Sequence, residues 1–241
     1  MNNKTIVIIP TYNEVENISR IIDMIIVDNE NIDLLVVDDN SPDGTSKIVS
    51  QKEAIFSNRV FLIKRLNKKG LGTAYIEGFK WALKNKYDFI ISMDADFSHN
   101  PSELPKIIEY FSNGVDVIVG SRYLNGVSVV NWPIGRIFLS YIAQIYVKLI
   151  TGMPINDPTS GFVAYTAKCI DSLNLDKFRF IGYAFQIEMK YKIWKKKFKL
   201  KEHQIIFMNR ELGESKLDKR IILEAVFGVI KLRLDSIFNK L

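Results

Sequence analysis

Five short runs of β-branched and aliphatic residues, each closed by a polar loop, constrain this chain more than anything else in it. They are Thr5–Ile9, Leu34–Val37, Val60–Ile63, Phe89–Met93 and Val115–Val119. Between them lie amphipathic stretches at 14–27, 45–55, 73–85 and 102–112. Uninterrupted apolar strands are buried on both faces, and strands that alternate with helices build βαβ units. The pattern predicts an α/β fold with a mostly parallel sheet flanked by helices. In such sheets ligands bind beyond the carboxyl ends of the strands.

The loops at those ends carry the chemistry. Pro10-Thr-Tyr-Asn-Glu14 follows the first run and Asp38-Asp-Asn-Ser-Pro-Asp-Gly44 the second. Lys64-Arg-Leu-Asn-Lys-Lys-Gly-Leu-Gly72 follows the third, Asp94-Ala-Asp-Phe-Ser-His99 the fourth and Gly120-Ser-Arg-Tyr123 the fifth. Acidic and basic groups thus converge on one edge of the predicted sheet.

The second half reads differently. Residues 134–150 form an apolar helix pattern with Arg136 and Lys148 near its ends. Residues 183–197 read as a helix, 198–207 as a strand and 218–240 as a cationic amphipathic helix. The apolar faces at 134–150 and 218–240 fit either a core or a membrane surface. The net charge of +6 conceals an asymmetry. Residues 1–120 hold 13 basic and 17 acidic side chains, a net of −4, while 121–241 hold 20 and 10, a net of +10. The two halves are expected to meet different partners.

Composition narrows the class. At 47% hydrophobic and 25% charged the chain is neither disordered nor low in complexity. Lone Cys169 allows no intramolecular disulfide and reads as a small buried hydrophobe. No run reaches the ~18 apolar residues of a membrane span. The apolar stretch before Pro10 is too short for a signal peptide. An intracellular protein, soluble or held at a membrane surface, is expected.

Asp94-Ala-Asp96 is the sharpest chemical signal. Two carboxylates one residue apart at a strand end can hold Mg²⁺ or Mn²⁺ against a diphosphate, because these ions take a few carboxylates plus phosphate oxygens. A solvated aspartate turn is the alternative; Asp38 and Asp39 at the end of another strand favour a site. Lys68-Lys-Gly-Leu-Gly72 could offer N–H groups and cations to phosphate, but it lacks P-loop and dinucleotide spacings, and a glycine turn with solvated lysines explains it as well. Arg210-Glu-Leu-Gly-Glu-Ser-Lys216 reads either as a mobile phosphate-covering loop or as an exposed connection. Residues 190–201 hold seven lysines and no acid, a solvated face or an attraction to anionic lipid. His99 and His203 have no zinc-ligand spacing, no nucleophile elbow occurs, and no nucleic-acid module is present.

In this order, PTYNE (10–14), VVDDNSPDGT (36–45), KGLGTAY (69–75), DADFSH (94–99), GSRY (120–123), NWPIGR (131–136), DPTSGF (157–162) and FMNRELGESK (207–216) resemble the family 2 inverting glycosyltransferases of GT-A fold. Within that family the likeness is to dolichol- or polyprenol-phosphate mannosyltransferases. The resemblance implies a 1–217 catalytic domain, a nucleotide-diphospho-sugar transferase fold, with 218–241 as a C-terminal amphipathic helix. It implies that Pro10, Tyr12, Glu14, Asp39, Ala95 and Lys216 bind the nucleotide-sugar and that Asp94 and Asp96 hold Mg²⁺ or Mn²⁺. Arg122, Arg136 and Ser140 correspond to acceptor-phosphate positions. Asp94, Asp96, Arg122, Arg136 and Arg210 form the implied catalytic set, Arg210 and Lys216 lying in a mobile acceptor loop. Two departures are visible: Val163 stands where many members have a basic residue, and Lys197 where many have a helix-ending glycine.

The chemistry agrees with the likeness. A hydroxyl acceptor needs a general base, which relatives supply as a Glu-Asp pair, and no Glu-Asp dipeptide occurs here. A monophosphate acceptor is already anionic near neutral pH and needs cations instead. The expected reaction is metal-dependent transfer of mannose from GDP-mannose to a dolichyl or polyprenyl monophosphate. The expected setting is peripheral, on the cytoplasmic face of a membrane, with no nucleic acid and with any membrane-spanning partner unidentified. Glucosyl transfer from UDP-glucose and a non-catalytic membrane-surface protein on the same scaffold are the alternatives.

Overall fold

The computed structural model describes residues 3–209 and 219–238. β1 (Thr5–Thr11), α1 (Val15–Asp28), β2 (Ile32–Asp38), α2 (Thr45–Ile55), β3 (Val60–Lys64), α3 (Leu71–Lys84) and β4 (Phe89–Ser92) alternate as the sequence pattern predicts. A 3₁₀ turn, α4 (Leu104–Glu109) and β5 (Val117–Ser121) follow. In α1 the isoleucines at 18, 21, 22, 25 and 26 recur at helical spacing, and all five are buried. Full burial of each is worth roughly 1.5–3 kcal/mol, and together they fix α1 on one face of the sheet beside Val7, Ile9 and Val36. Tyr75 and Phe79 of α3 cover the other face over Ile8, Leu35 and Val37.

The second half adds β6 (Val129–Val130), α5 (Ile134–Thr151), β7 (Val163–Thr166), α6 (Ala167–Asp171), α7 (Tyr183–Lys195), β8 (Leu200–Gln204), β9 (Phe207–Met208) and α8 (Lys219–Ile237). The main sheet has seven strands in the order β3-β2-β1-β4-β7-β5-β8. All neighbours are parallel except β7, which runs antiparallel to both β4 and β5. Its amino end, with the loop 157–162 before it, therefore lies beside the carboxyl ends of β4 and β5. Sequence patterning did not reveal β7. Val163, the first departure noted, is fully buried between Ser92 and Val119, where a charged side chain would have no solvent.

α5 is turned inside out. Its buried residues are Gln144, Val147 and Thr151, while Phe138, Ile142, Ile145 and Leu149 share an exposed face at helical spacing. It does not bury its apolar stripe in the core. At 18 residues and mean hydropathy 1.2, with 17% buried, it is long and apolar enough to cross a membrane, by length and composition alone. It does so on average composition and not as an uninterrupted apolar run, since Arg136, Gln144 and Lys148 lie within it. α8 packs beside it: Val147 meets Val229 and Leu232, and the Tyr146 hydroxyl donates to the Val226 carbonyl at 2.8 Å. Phe227 and Leu234 of α8 remain exposed.

The lysine-rich segment is not a single face. Lys190 is fully buried, Lys192 is 2.8 Å from Glu188, and Lys195, Lys196, Lys197, Lys199 and Lys201 are exposed. Cys169 is a buried free thiol whose pKa burial pushes up, as expected of an inert hydrophobe.

Candidate functional site

The loops after β1 and β2 are stitched to each other. The backbone N–H groups of Asn13, Glu14 and Val15 donate to Ser41 Oγ, Thr45 Oγ1 and Asp43 Oδ2, each at 3.0 Å. Asn13 and Asn40 take φ near +57° and +58°, a conformation asparagine tolerates better than most residues. The Asp38-Asp39 pair splits in function. Asp38 is fully buried and accepts from Thr11, Ser41 Oγ and the Ser41 N–H, so it builds the turn.

Asp39 faces the next loop. Its Oδ2 accepts from the N–H groups of Lys69 and Gly70 at 3.3 and 3.2 Å, and Arg65 Nη1 lies 2.9 Å from its Oδ1. That Arg65 contact is an ion pair rather than an aligned hydrogen bond, since neither atom has a hydrogen-bond partner of its own. Two backbone donors of the glycine loop thus engage Asp39. Gly70 has φ +95°, and a Cβ there would lie 2.1 Å from Ile181 Cγ2, so the position needs glycine. Lys68 lies over the Tyr12 ring, 3.8 Å from its centroid.

β4 ends into the DADFSH turn. Ser98 donates from its backbone N–H (3.2 Å) and its hydroxyl to Asp96 Oδ1, and Phe97 is held at φ +59°, an outlier for so bulky a residue. The Asp94 side chain is 38% exposed, and its Oδ1 is 3.4 Å from the Tyr75 hydroxyl. His99 is buried. Its Nδ1 accepts the Asp94 N–H at 3.2 Å, which leaves the ring proton on Nε2. Burial lowers its pKa against the opposing pull of Asp94 and Asp96, keeping the ring neutral.

Across from these carboxylates, β5 delivers Arg122. Asp157, from the loop before β7, receives Arg122 Nε at 2.6 Å, Nη2 at 2.7 Å and the backbone N–H at 3.0 Å. Thr159 accepts from Nη2 at 2.7 Å. Burial alone would raise the Asp157 carboxyl, but Arg122 and Lys190 hold it below its ordinary range. Glu202 of β8 supports the loop by accepting the N–H groups of Asn156 and Asp157 at 2.9 Å. Arg136, at the start of α5, lies 4.0 Å from the Trp132 ring centroid and donates to Asn209 at 3.1 Å.

These parts line one cleft: Asp94, Asp96 and His99 on one side, Arg122 and Arg136 on the other, with Ser160, Gly161 and Gln186 among the residues between them. Of the residues expected from sequence, Asp94, Asp96, Arg122 and Arg136 meet there. Pro10 is the next-to-last residue of β1, and Tyr12, Glu14, Asp39 and Ala95 sit in the adjoining strand-end loops. Ser140 lies one turn beyond Arg136 on α5 and is not among the cleft-lining residues; it pairs with the Tyr123 hydroxyl at 2.9 Å. Arg210 and Lys216 lie outside the described residues. Sequence reasoning assigned no role to Asp157, His99, Lys190 or Gln186. For Asp157 the signal was present, as an acid in a Pro- and Gly-containing loop before an apolar run.

The donor set suits a hard divalent cation. Among the described residues no cluster of three or more His, Cys, Asp or Glu is placed to hold a metal, so the protein would contribute two carboxylates. That leaves the remaining positions to phosphate and water oxygens, the usual arrangement for Mg²⁺ or Mn²⁺.

Similarity to known proteins agrees with this geometry. The chain is 39% identical over 226 residues to the polyprenol monophosphomannose synthase of Mycolicibacterium smegmatis, covering 94% of this chain and 85% of that protein. It is 38% identical over 228 residues to the undecaprenyl-phosphate mannosyltransferase of Micrococcus luteus, covering 95% and 93%. The dolichol-phosphate mannosyltransferase of Pyrococcus furiosus is 38% identical over 235 residues, covering 95% of this chain and 63% of that longer protein. The fold matches the Mycobacterium tuberculosis glucosyl-3-phosphoglycerate synthase crystallised with Mn²⁺, UDP-glucose and phosphoglyceric acid. That match has a TM-score of 0.72 at 16% identity and covers 96% and 80% of the two chains. The family model for glycosyl transferase family 2 matches residues 6–173, from the first strand through the site loops and past β7, and the chain belongs to that family.

Proposed function

We propose that this enzyme transfers mannose from GDP-mannose to a polyprenyl or dolichyl monophosphate, with inversion at the anomeric carbon. The observation that carries the reading is the cleft's division of charge. Among its described lining residues the carboxylates are Asp94 and Asp96, and the opposite wall holds Arg122 and Arg136. Among the described lining residues there is no third carboxylate to act as a base, since Asp157 is buried and engaged by Arg122; an acceptor hydroxyl would need such a base and an ionised phosphate does not. The relatives named for polyprenol-, undecaprenyl- and dolichol-phosphate mannosyl chemistry support mannose over glucose.

Asp94 and Asp96 would hold the divalent cation, which would neutralise charge on the departing diphosphate. Pro10, Tyr12, Glu14, Asp39 and Ala95 form the nucleotide side together with Lys216, and Arg210 joins the catalytic set; both Arg210 and Lys216 lie outside the described residues. Arg122 and Arg136 hold the acceptor phosphate, with Ser140 one turn further along α5. An acceptor phosphate oxygen forms a bond to the anomeric carbon as the bond to the β-phosphate oxygen breaks. The electron pair leaves with GDP, and no proton has to move. Arg122 is fixed by Asp157 and Thr159, so it spends little reorganisation on orienting the attacking phosphate.

The apolar faces of α5 and α8 support a peripheral seat at a membrane surface, which we assign to the cytoplasmic face; there the lipid tail stays in the bilayer and its phosphate reaches Arg136. On this reading residues 1–217 are the catalytic unit and 218–241 its membrane-surface helix. The test is a donor-by-acceptor assay of GDP-mannose and UDP-glucose against a short polyprenyl phosphate, with Mn²⁺ or EDTA. Mannosyl lipid is expected from GDP-mannose and metal alone, and Asp96→Ala is expected to lower the rate by at least about 100-fold. A free sugar hydroxyl that outcompetes the lipid phosphate as acceptor would overturn the assignment.

A further inference from the structure

Two side chains in the cleft have buried polar atoms without the hydrogen bonds their chemistry demands. Gln186, in the first turn of α7, is 2% exposed, and neither its Oε1 nor its Nε2 has a partner. The Trp132 indole N–H is likewise buried and unpartnered. Both residues line the same cleft as Asp94, Asp96, Arg122 and Arg136, with Trp132 packed against Arg136 at 4.0 Å. The great majority of buried polar side-chain atoms in proteins find a partner, and leaving one without is costly. A methionine would fill the place of Gln186 without that cost.

The placement of Gln186 is also fixed from behind. Its backbone carbonyl accepts from the buried Lys190 Nζ at 3.2 Å, and the same Nζ donates to the Ser160 backbone carbonyl at 2.7 Å. Beside this anchored backbone, the side-chain amide has its donor and its acceptor both unused, and can serve a ligand that both accepts and donates.

On the reading above, the diphosphate lies against Asp94 and Asp96 and the acceptor phosphate against the arginines. The group between them is the transferred hexose, whose hydroxyls each donate and accept. We infer that Gln186, assisted by the Trp132 N–H, hydrogen-bonds the hydroxyls of the transferred sugar and sets which hexose the enzyme accepts. A side-chain amide can accept from one hydroxyl and donate to its neighbour, so it distinguishes epimers that differ in the direction of one O–H. Sites built to satisfy a substrate hydroxyl discriminate far more strongly than apolar pockets, because the wrong sugar leaves the site's own polar groups unpaired.

The inference rests on the proposed donor, and binding measurements separate the two. Calorimetric Kd values for GDP-mannose, GDP-glucose and GDP are measured in Mn²⁺ for wild type, Gln186→Met and Trp132→Phe, along with the ligand-free Tm. Gln186→Met is expected to weaken GDP-mannose by about 10- to 100-fold, the worth of one or two hydrogen bonds. GDP affinity stays unchanged, the preference between the two epimers collapses, and the ligand-free Tm holds or rises. Trp132→Phe is expected to weaken GDP-mannose by about 3- to 10-fold. Equal loss of GDP and GDP-mannose affinity, or an intact epimer preference in Gln186→Met, overturns the assignment. A wild-type protein that shows the binding split yet transfers no mannose to lipid phosphate overturns the proposed reaction and leaves Gln186 as a sugar-reading residue.

Discussion

Arg122 shows how one charge is made useful. Its guanidinium is nearly buried and its fork is filled by Asp157, whose own side chain is fully buried. Removing one partner of such a pair leaves the other's charge uncompensated. Asp157→Asn is therefore expected to cost about 3–5 kcal/mol in urea unfolding, far more than an exposed pair would. Lys190, behind the same loop, titrates in reverse of a surface lysine. Burial brings its pKa down from 10.5 to about 7, against the upward pull of Asp157. Between about 7 and 10.5 the unfolded chain holds a proton that the folded one has released, so stability rises with pH across that window. Below 7 both states are protonated and the cost of burying the charge is fully present. Unfolding of Lys190→Met at pH 6.5, 8 and 9.5 is expected to show this rise flattened. Asp94, Asp96 and Arg122 were legible because each follows a strand. Asp157 meets Arg122 from 35 residues away, and Gln186 is defined by partners it lacks. No local pattern encodes either fact.

Among the elements, the run expected over 198–207 narrows to β8, while the first five strands were read to within two residues at either end, since β-branched runs bounded by Gly, Pro and Asp carry their own signal. β7 was not. It is four residues, Val-Ala-Tyr-Thr, and its identity comes from the two strands it lies between. α5 was legible as an apolar helix, but its periodicity could not say which way the stripe faces. The end of α7 was read correctly as a compromise: Lys197 sits at φ +63°, where glycine is the usual occupant. Lys197→Gly is expected to stabilise the protein by about 0.5–1 kcal/mol and raise Tm by about 1–4 °C, with transfer rates unchanged.

For the molecule as a whole, the charge asymmetry follows the site rather than a domain boundary. The net −4 half supplies Asp94 and Asp96, and the net +10 half supplies Arg136 and the exposed lysines after α7. Arg122, just past the midpoint, belongs to the same sheet edge as Asp94. The exposed α5 face extends the whole-molecule reading to lipid. Phe138→Glu with Leu149→Glu, at positions 66% and 77% exposed, is expected to reduce flotation with anionic vesicles by at least about tenfold. Transfer to a short, water-soluble polyprenyl phosphate should continue. Flotation that survives the double change would remove α5 from the membrane contact. The position of β7 also sets an order of assembly. β4 and β5 do not pair with each other, because β7 lies between them. During synthesis the β3-β2-β1-β4 half can close early, from local βαβ contacts. Arg122 is already translated by then, yet it has no fixed place opposite Asp94. Only when residues 163–166 emerge and insert does the sheet become continuous, and the loop carrying Asp157 arrives with them. The carboxylates thus stand in the part of the sheet that can close first, and the cationic wall is placed opposite them only when β7 joins the two halves.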